Sequence, residues 1–289
     1  MANKDIPTLV EPDWLEKRLD DPDLCVVDCS VDLTYDIETG EAECSSLQDK
    51  WEESHIPGSI FVDLMVDLSE TKDPDYAFQL PDPEDFATEM ESVGIGSDTR
   101  VVVYDNASNE WAARFWWMLR VFGHDQVGVL NGGWERWTNE DRSTSSKGPT
   151  ISDVTFIPEY NPDFVADKKE VLSYISDENT DEAHVVCALP PDEYKLIHIP
   201  NTKNVPAIGE SALVDAKTNT YLSENEIRNR FNEVGVTESD RLVTYCGGGI
   251  ASTSAALAAY ASGIENVAVY NGALEEWRSD SSLPVATTD

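Results

Sequence analysis

Cys246 opens the run Cys246-Gly247-Gly248-Gly249-Ile250-Ala251-Ser252, directly after the apolar stretch Leu242-Val243-Thr244-Tyr245 and directly before a segment with helical character. A thiol at the first position of a glycine turn that opens a helix sits where main-chain N–H groups converge and the helix dipole is positive. Both features favour a thiolate, the nucleophilic form of cysteine. Three consecutive glycines let the backbone curl with its amides inward, a shape that β-carbons obstruct. The turn can therefore cradle an anion on or beside the sulfur. The structural alternative is a small buried residue closing a strand, because free cysteine is among the most buried residue types. The rest of the chain must decide between the two.

Composition narrows the field. The chain has 289 residues, 40% of them hydrophobic, enough for a large core and between one and two domains by length. No apolar run approaches a membrane span, and the start Met1-Ala2-Asn3-Lys4-Asp5 lacks a basic, apolar signal region, so the expectation is a soluble cytoplasmic protein. The five cysteines, Cys25, Cys29, Cys44, Cys187 and Cys246, are odd in number and irregularly spaced, unlike a disulfide framework or a four-ligand zinc site. Asp plus Glu number 56 against 20 Lys plus Arg, a net charge of −36 spread over both halves. Such a field repels nucleic-acid phosphates and anionic membranes, which excludes both as partners. Dispersed acid with an ordinary apolar fraction points instead to adaptation to molar salt, where the Debye length is about 3 Å and self-repulsion is screened.

The elements that position Cys246 come from a duplication. His55-Ile56-Pro57 is answered by His198-Ile199-Pro200, Arg100-Val101-Val102-Val103-Tyr104-Asp105 by Arg241-Leu242-Val243-Thr244-Tyr245-Cys246, and Asn131-Gly132-Gly133-Trp134-Glu135-Arg136-Trp137 by Asn271-Gly272-Ala273-Leu274-Glu275-Glu276-Trp277. The offsets are 143 from His55 to His198, 141 from Tyr104 to Tyr245 and 140 from Trp137 to Trp277. So long and constant a period means duplicated domains. The alternation within each half (strands over Leu24 to Asp28, Val101 to Tyr104 and Gln126 to Leu130, a helix over Asn109 to Phe122) predicts an α/β fold. Each domain should be a mainly parallel sheet with helices on both faces. Ligands in such sheets sit beyond the carboxyl ends of the strands, where Cys246 falls. The expected boundaries are a first domain over 1–145, a linker over 146–161 beginning in a Ser-rich, Gly-Pro-broken segment, and a second domain over 162–289. Val27 to His55 spans 28 residues where Val186 to His198 spans 12, so the first domain carries an insertion of about 16 residues able to reach across the domain interface.

These residues resemble a tandem-domain rhodanese, the sulfurtransferase family that includes thiosulfate and 3-mercaptopyruvate sulfurtransferases. The likeness rests on Tyr104-Asp105, on Ala112-Ala113-Arg114-Phe115-Trp116-Trp117-Met118-Leu119-Arg120, on Val129-Leu130-Asn131-Gly132-Gly133-Trp134, and on the six-residue loop from Cys246 to Ala251. It implies that Cys246 takes sulfane sulfur from a small anionic donor, thiosulfate or 3-mercaptopyruvate, and passes it as a persulfide to a thiol, cyanide or protein acceptor. The amides of Gly247, Gly248, Gly249, Ile250 and Ala251 would hold the persulfide. No metal or organic cofactor is implied. The first domain, with Asp105 in place of the cysteine, resembles the family's inactive copy.

Two departures bear on specificity. Both positions after the cysteine are glycine, so neither the basic pair of the thiosulfate type nor the hydroxyl of the mercaptopyruvate type is present. The family's donor-binding Asp-x-Arg reads Cys187-Ala188-Leu189 here, leaving Lys195, Lys203 and Arg114 as candidate replacements. His55 matches a residue near the active site of mercaptopyruvate-type enzymes, while the His-Ile-Pro block more often shapes a turn. His198 is expected to be structural. Trp111 is a candidate cleft wall, Trp116 and Trp117 at helical spacing belong to the core, and Glu110 is either a cleft rim or solvated acid. A phosphatase or arsenate reductase of this type needs a longer loop ending in arginine, where Ala251 and Ser252 stand. The remaining alternative is a non-enzymatic sulfur carrier or docking module loaded by a partner.

Overall fold

The computed structural model describes residues 6–35, 42–106, 109–176 and 183–288. The first five positions, whose composition carried the cytoplasmic expectation, lie outside the described residues. No helix among the described residues is long and apolar enough to cross a membrane.

Two five-stranded parallel sheets form the frame. The first contains β1 (Leu9–Val10), β2 (Leu24–Asp28), β5 (Ile60–Phe61), β6 (Arg100–Tyr104) and β7 (Val127–Leu130) in the order β1-β7-β6-β2-β5. A separate antiparallel hairpin, β3 (Val31–Tyr35) with β4 (Ala42–Ser46), lies between β2 and β5 in the chain. The second sheet contains β8 (Val165–Ala166), β9 (Ala183–Cys187), β10 (Lys203–Asn204), β11 (Arg241–Tyr245) and β12 (Val267–Tyr270) in the order β8-β12-β11-β9-β10. The strand orders are the same once β8–β12 are matched in sequence to β1, β2, β5, β6 and β7. The expected duplication is thus a duplication of topology. The helices follow suit: α1 (Pro12–Glu16), α2 (Gln48–Glu53), α3 (Pro83–Ser92), α4 (Glu110–Val121) and α5 (Gly133–Asn139) answer α6 (Lys168–Ser176), α7 (Pro191–Leu196), α8 (Glu224–Glu233), α9 (Ala251–Ala261) and α10 (Ala273–Ser279).

The central strands are valine-rich because both of their faces are covered. Along β6, Val101 and Val103 face one core while Val102 and Tyr104 face another. Along β11, Leu242 joins the same core as Val101, while Val243 and Tyr245 face a third. Each sheet therefore has a private outer core, and the two share an inner one. That inner core is built on α4 and α9. Trp111 to Leu119 are all buried in α4, and Ser252 to Ala259 in α9. A helix apolar all round belongs in the middle of a protein. Here the alanines of α9, among them Ala255, Ala256 and Ala259, join the same core as Phe115, Trp116 and Trp117.

The insertion is the β3–β4 hairpin, which spans positions 31 to 46, or 16 residues. Segment 146–161 contains no helix or strand but runs against the first domain, where Phe156 N–H donates to Glu91, Glu159 N–H to the Phe122 carbonyl and Asn161 N–H to the Val121 carbonyl. The second half starts with a 3-10 turn at Pro162–Phe164.

The two His-Ile-Pro blocks make the same joint twice. His55 bridges Ser145 in an antiparallel pair and stacks on Trp51 at 4.4 Å; His198 bridges Ala286 and stacks on Tyr194 at 4.0 Å. Ile56 N–H donates to the Tyr104 hydroxyl at 3.3 Å and Ile199 N–H to that of Tyr245 at 3.0 Å. Each block thus ties down the tail of its domain and the tyrosine that precedes position 105 or 246.

Candidate active site in the interdomain cleft

Tyr245, the last residue of β11, pairs in register with Cys187 of β9, and the chain then leaves the sheet at Cys246. Tyr245 is held at its hydroxyl by Ile199 and by Thr202 at 2.9 Å, so the sulfur's point of departure is rigid. The loop then turns back on the sulfur. Gly249 N–H donates to Cys246 Sγ at 3.1 Å, and the Ser252 hydroxyl lies 3.5 Å from it. Gly249 has φ +86°, and a β-carbon there would come within 2.7 Å of the Asn271 carbonyl. Only glycine fits that conformation and that approach. Gly247, by contrast, faces open space, since a β-carbon there meets nothing within 4 Å, and one at Gly248 would make only an ordinary contact with the Glu275 carboxyl at 3.7 Å.

Burial pushes up the thiols of Cys25, Cys29, Cys44 and Cys187, Cys25 and Cys187 to about 12. Desolvation favours the neutral form in each. Cys246 alone of the five stands at a helix N-terminus with an amide aimed at its sulfur.

The equivalent position in the first domain has a different end. Asp105 is fully buried, and its carboxylate accepts from Asn109 N–H at 3.2 Å and Ala112 N–H at 2.8 Å. The loop's amides close on the domain's own side chain, while the carbonyls at the two positions are capped alike, Asp105 by Trp134 N–H and Cys246 by Leu274 N–H.

Cys246 opens into a cleft of about 600 Å³ whose walls come from both halves. The second domain contributes Cys246, Gly247, Gly248, Ile250 and Ala251; the first contributes Trp111, Phe78 and, from the inserted hairpin, Leu33 and Cys44. Trp111 and Phe78 meet edge to face at 5.5 Å. Glu110 also lines the cleft, and burial first, then the charges of Asp105 and Glu193, push its carboxyl up to about 8.

The candidate donor-binding cations are elsewhere. Arg114 is 1% exposed and does not line the cleft. It sits behind the loop, donating to the Gly249 carbonyl at 3.3 Å, to Asn271 Oδ1, and to the Phe78 carbonyl at 2.5 Å, with its guanidinium 4.6 Å over Trp117. Burial lowers it to about 10, so it stays a cation at neutral pH; Cys246 is among the groups favouring its charge. Lys195 is exposed and paired with Asp192 at 3.1 Å, and Lys203 is exposed on edge strand β10. His55 is buried in its turn, its ring nitrogens 2.6 Å from the Trp51 carbonyl and 3.1 Å from that of Lys147. None of these three lines the cleft. The geometry therefore corrects four candidates by residue: Arg114 is a loop clamp, His55 a turn residue, and Lys195 and Lys203 surface cations.

Comparison with known proteins settles the family. The family model for the rhodanese-like domain matches twice, over residues 11–140 and 167–280. The chain belongs to the rhodanese family. The 3-mercaptopyruvate sulfurtransferase of Escherichia coli (strain K12) is 30% identical to this rhodanese, with 96% of each chain covered. The thiosulfate/3-mercaptopyruvate sulfurtransferase 2 of Arabidopsis thaliana is 29% identical over 96% of this chain and 86% of the relative. The crystal structure of SseA from Escherichia coli superposes with a TM-score of 0.78 at 28% identity, covering 93% of this rhodanese and 99% of that chain. This rhodanese is a sulfurtransferase.

The sequence did not single out Ser252 as a partner of the sulfur, Asn271 as the loop's backstop, or Glu193 and Glu275 on the cleft. Asn271 had a signal in the repeated Asn-Gly block. Glu275 belongs to the same block but nothing in it pointed to the cleft, and Glu193 had no signal, because only the tertiary fold brings the two glutamates beside Cys246.

Proposed function

We propose that this rhodanese moves sulfane sulfur through a persulfide on Cys246. The thiolate attacks the outer sulfur of a donor of the thiosulfate or 3-mercaptopyruvate class; the new S–S bond forms as the bond to the donor remainder breaks, and the remainder leaves with the electron pair. An acceptor thiolate or cyanide then attacks the same sulfur and returns Cys246 to thiolate. The observation that carries this reading is the placement of Cys246 Sγ, 3.1 Å from Gly249 N–H and open to a cleft of about 600 Å³. Two further features support it. The open space beside Gly247 has room for an added sulfur, and the Gly249 N–H already points at the Cys246 sulfur that would carry it. The buried Arg114 behind Gly249 adds a fixed positive charge that costs no reorganisation during the reaction.

The test is intact mass spectrometry after exposure to each donor in molar salt, with Cys246→Ser as control. A gain of one sulfur atom that is absent from the variant is the expected result. A wild-type chain that gains nothing from any donor, or a gain that persists in the variant, would overturn the reading.

A further inference from the structure

Beyond the sulfur loop, the charged lining of the cleft is acidic. Glu110, Glu193 and Glu275 line it, from α4, α7 and α10 respectively, and no Lys, Arg or His does among the described residues. Opposite charges attract across such a space, and like charges repel, by about 1 kcal/mol at 4 Å in water and several-fold more near a protein surface. Arg114 lies behind Gly249, outside the cleft lining, and forms no ion pair with Glu110, Glu193 or Glu275. Glu275 is braced across the domain interface by Ala77 N–H, at 3.1 Å from Oε1. The Glu110 carboxyl has no hydrogen-bond donor or ion-pair partner among the described residues; burial first, then the charges of Asp105 and Glu193, push it up to about 8, so at neutral pH it is mostly protonated and the negative charge of the lining is that of Glu193 and Glu275. The same cleft has an aromatic and aliphatic lining in Trp111, Phe78, Leu189 and Ile208. Apolar surface with an aromatic face suits a hydrocarbon body, and Trp attracts a cation within about 6 Å.

We propose that the sulfur acceptor is a cationic thiol, an aminothiol whose ammonium group lies by the carboxylates of Glu193 and Glu275 while its hydrocarbon part rests on Trp111 and Phe78. This rests on the persulfide reading and specifies its second half. The acceptor thiolate attacks the outer sulfur of Cys246–S–SH; a bond forms between the acceptor sulfur and that atom, the bond to Cys246 Sγ breaks, and the electron pair leaves on the Cys246 thiolate. The product is the acceptor's own persulfide, and no external oxidant or reductant is required. The carboxylates bring the acceptor's cationic end in while its sulfur faces the loop, so charge selects the substrate and orients it.

The experiment is single-turnover discharge of the sulfur-loaded protein, followed by loss of the added sulfur in the intact mass. The acceptors are 2-(dimethylamino)ethanethiol, 2-mercaptoethanol and 3-mercaptopropionate, each rate divided by that thiol's rate with a small disulfide in the same buffer. The expected order is cationic, then neutral, then anionic, with roughly a tenfold gap between the ends at the lowest salt that keeps the protein folded. Raising salt should narrow the gap. Glu275→Gln keeps the acceptor for Ala77 N–H and should shrink it; Glu193→Lys, at an exposed position of a surface helix, should invert it. Loaded protein that discharges to all three at equal normalised rates, or an order indifferent to Glu193→Lys, would overturn the proposal while leaving the persulfide intact. Failure to load any sulfur overturns both.

Discussion

The Arg114 guanidinium, on a helix of the first domain, donates to the Gly249 carbonyl of the second at 3.3 Å, and Gly249 in turn donates its N–H to Cys246 Sγ at 3.1 Å. One residue thus links a buried cation of the copy that carries Asp105 to the nucleophile of the other. Arg114 acts through the loop, which makes it a positioning residue. Arg114→Met should leave the Gly249 and Phe78 carbonyls unsatisfied and cost on the order of 3 kcal/mol of stability. It should also slow alkylation of Cys246 by iodoacetamide in protein still folded by circular dichroism. Arg114→Lys, which keeps the charge but loses the fork, should recover part of the alkylation rate. Equal rates in wild type and Arg114→Met would show that the cation has no electrostatic hold on the sulfur.

The three glycines of the loop are unequal. Gly249→Ala puts a β-carbon 2.7 Å from the Asn271 carbonyl at a φ of +86°, and should cost about 2–3 kcal/mol together with most of the persulfide yield. Gly247→Ala meets open space and should change the thermal midpoint little. Melting curves of the two variants check this. Similar losses in both would mean that the loop adopts another conformation in solution.

Glu110 makes stability depend on pH in a defined direction. Its folded value near 8 lies above the ordinary 4.5 because of burial and the charges of Asp105 and Glu193. Below 4.5 both folded and unfolded chains hold the proton. Between there and about 8 the folded state binds a proton that the unfolded chain has released, so stability falls as pH rises, and the loss is complete above about 8. Glu110→Gln should therefore gain on wild type by more at pH 9 than at pH 6. A melting difference that is the same at both would refute the assignment.

The charge of −36 predicts a salt requirement. Thermal unfolding should move to higher temperature between dilute buffer and molar KCl as repulsion among the carboxylates is screened. A midpoint unmoved by salt would remove the reason for reading the acidity as an adaptation.

Much of this was legible in the sequence because it was written twice. Valine runs beside glycine turns, repeated near an offset of 141, announced both parallel sheets and the strand end that carries Cys246. The length asymmetry before His55 announced an insertion, though not that it forms a hairpin with Leu33 and Cys44 on the cleft. Side-chain direction was not legible. Arg114, Lys195 and Lys203 were candidates by charge alone, and one turned inward behind the loop while the others remained at the surface. Glu193 and Glu275 lie 53 and 29 positions from Cys246 and belong to different helices, so no local pattern could place them together.

The inner core, where α4 and α9 meet, has a consequence for how such a chain can exist. Either half alone would present an apolar helix to water, and would have to find a second copy by diffusion to hide it. Joining the halves in one polypeptide turns that encounter into an intramolecular event whose yield is independent of dilution. It also frees one loop from having to carry a nucleophile, so Asp105 can close on its own amides while its domain remains as the permanent other wall.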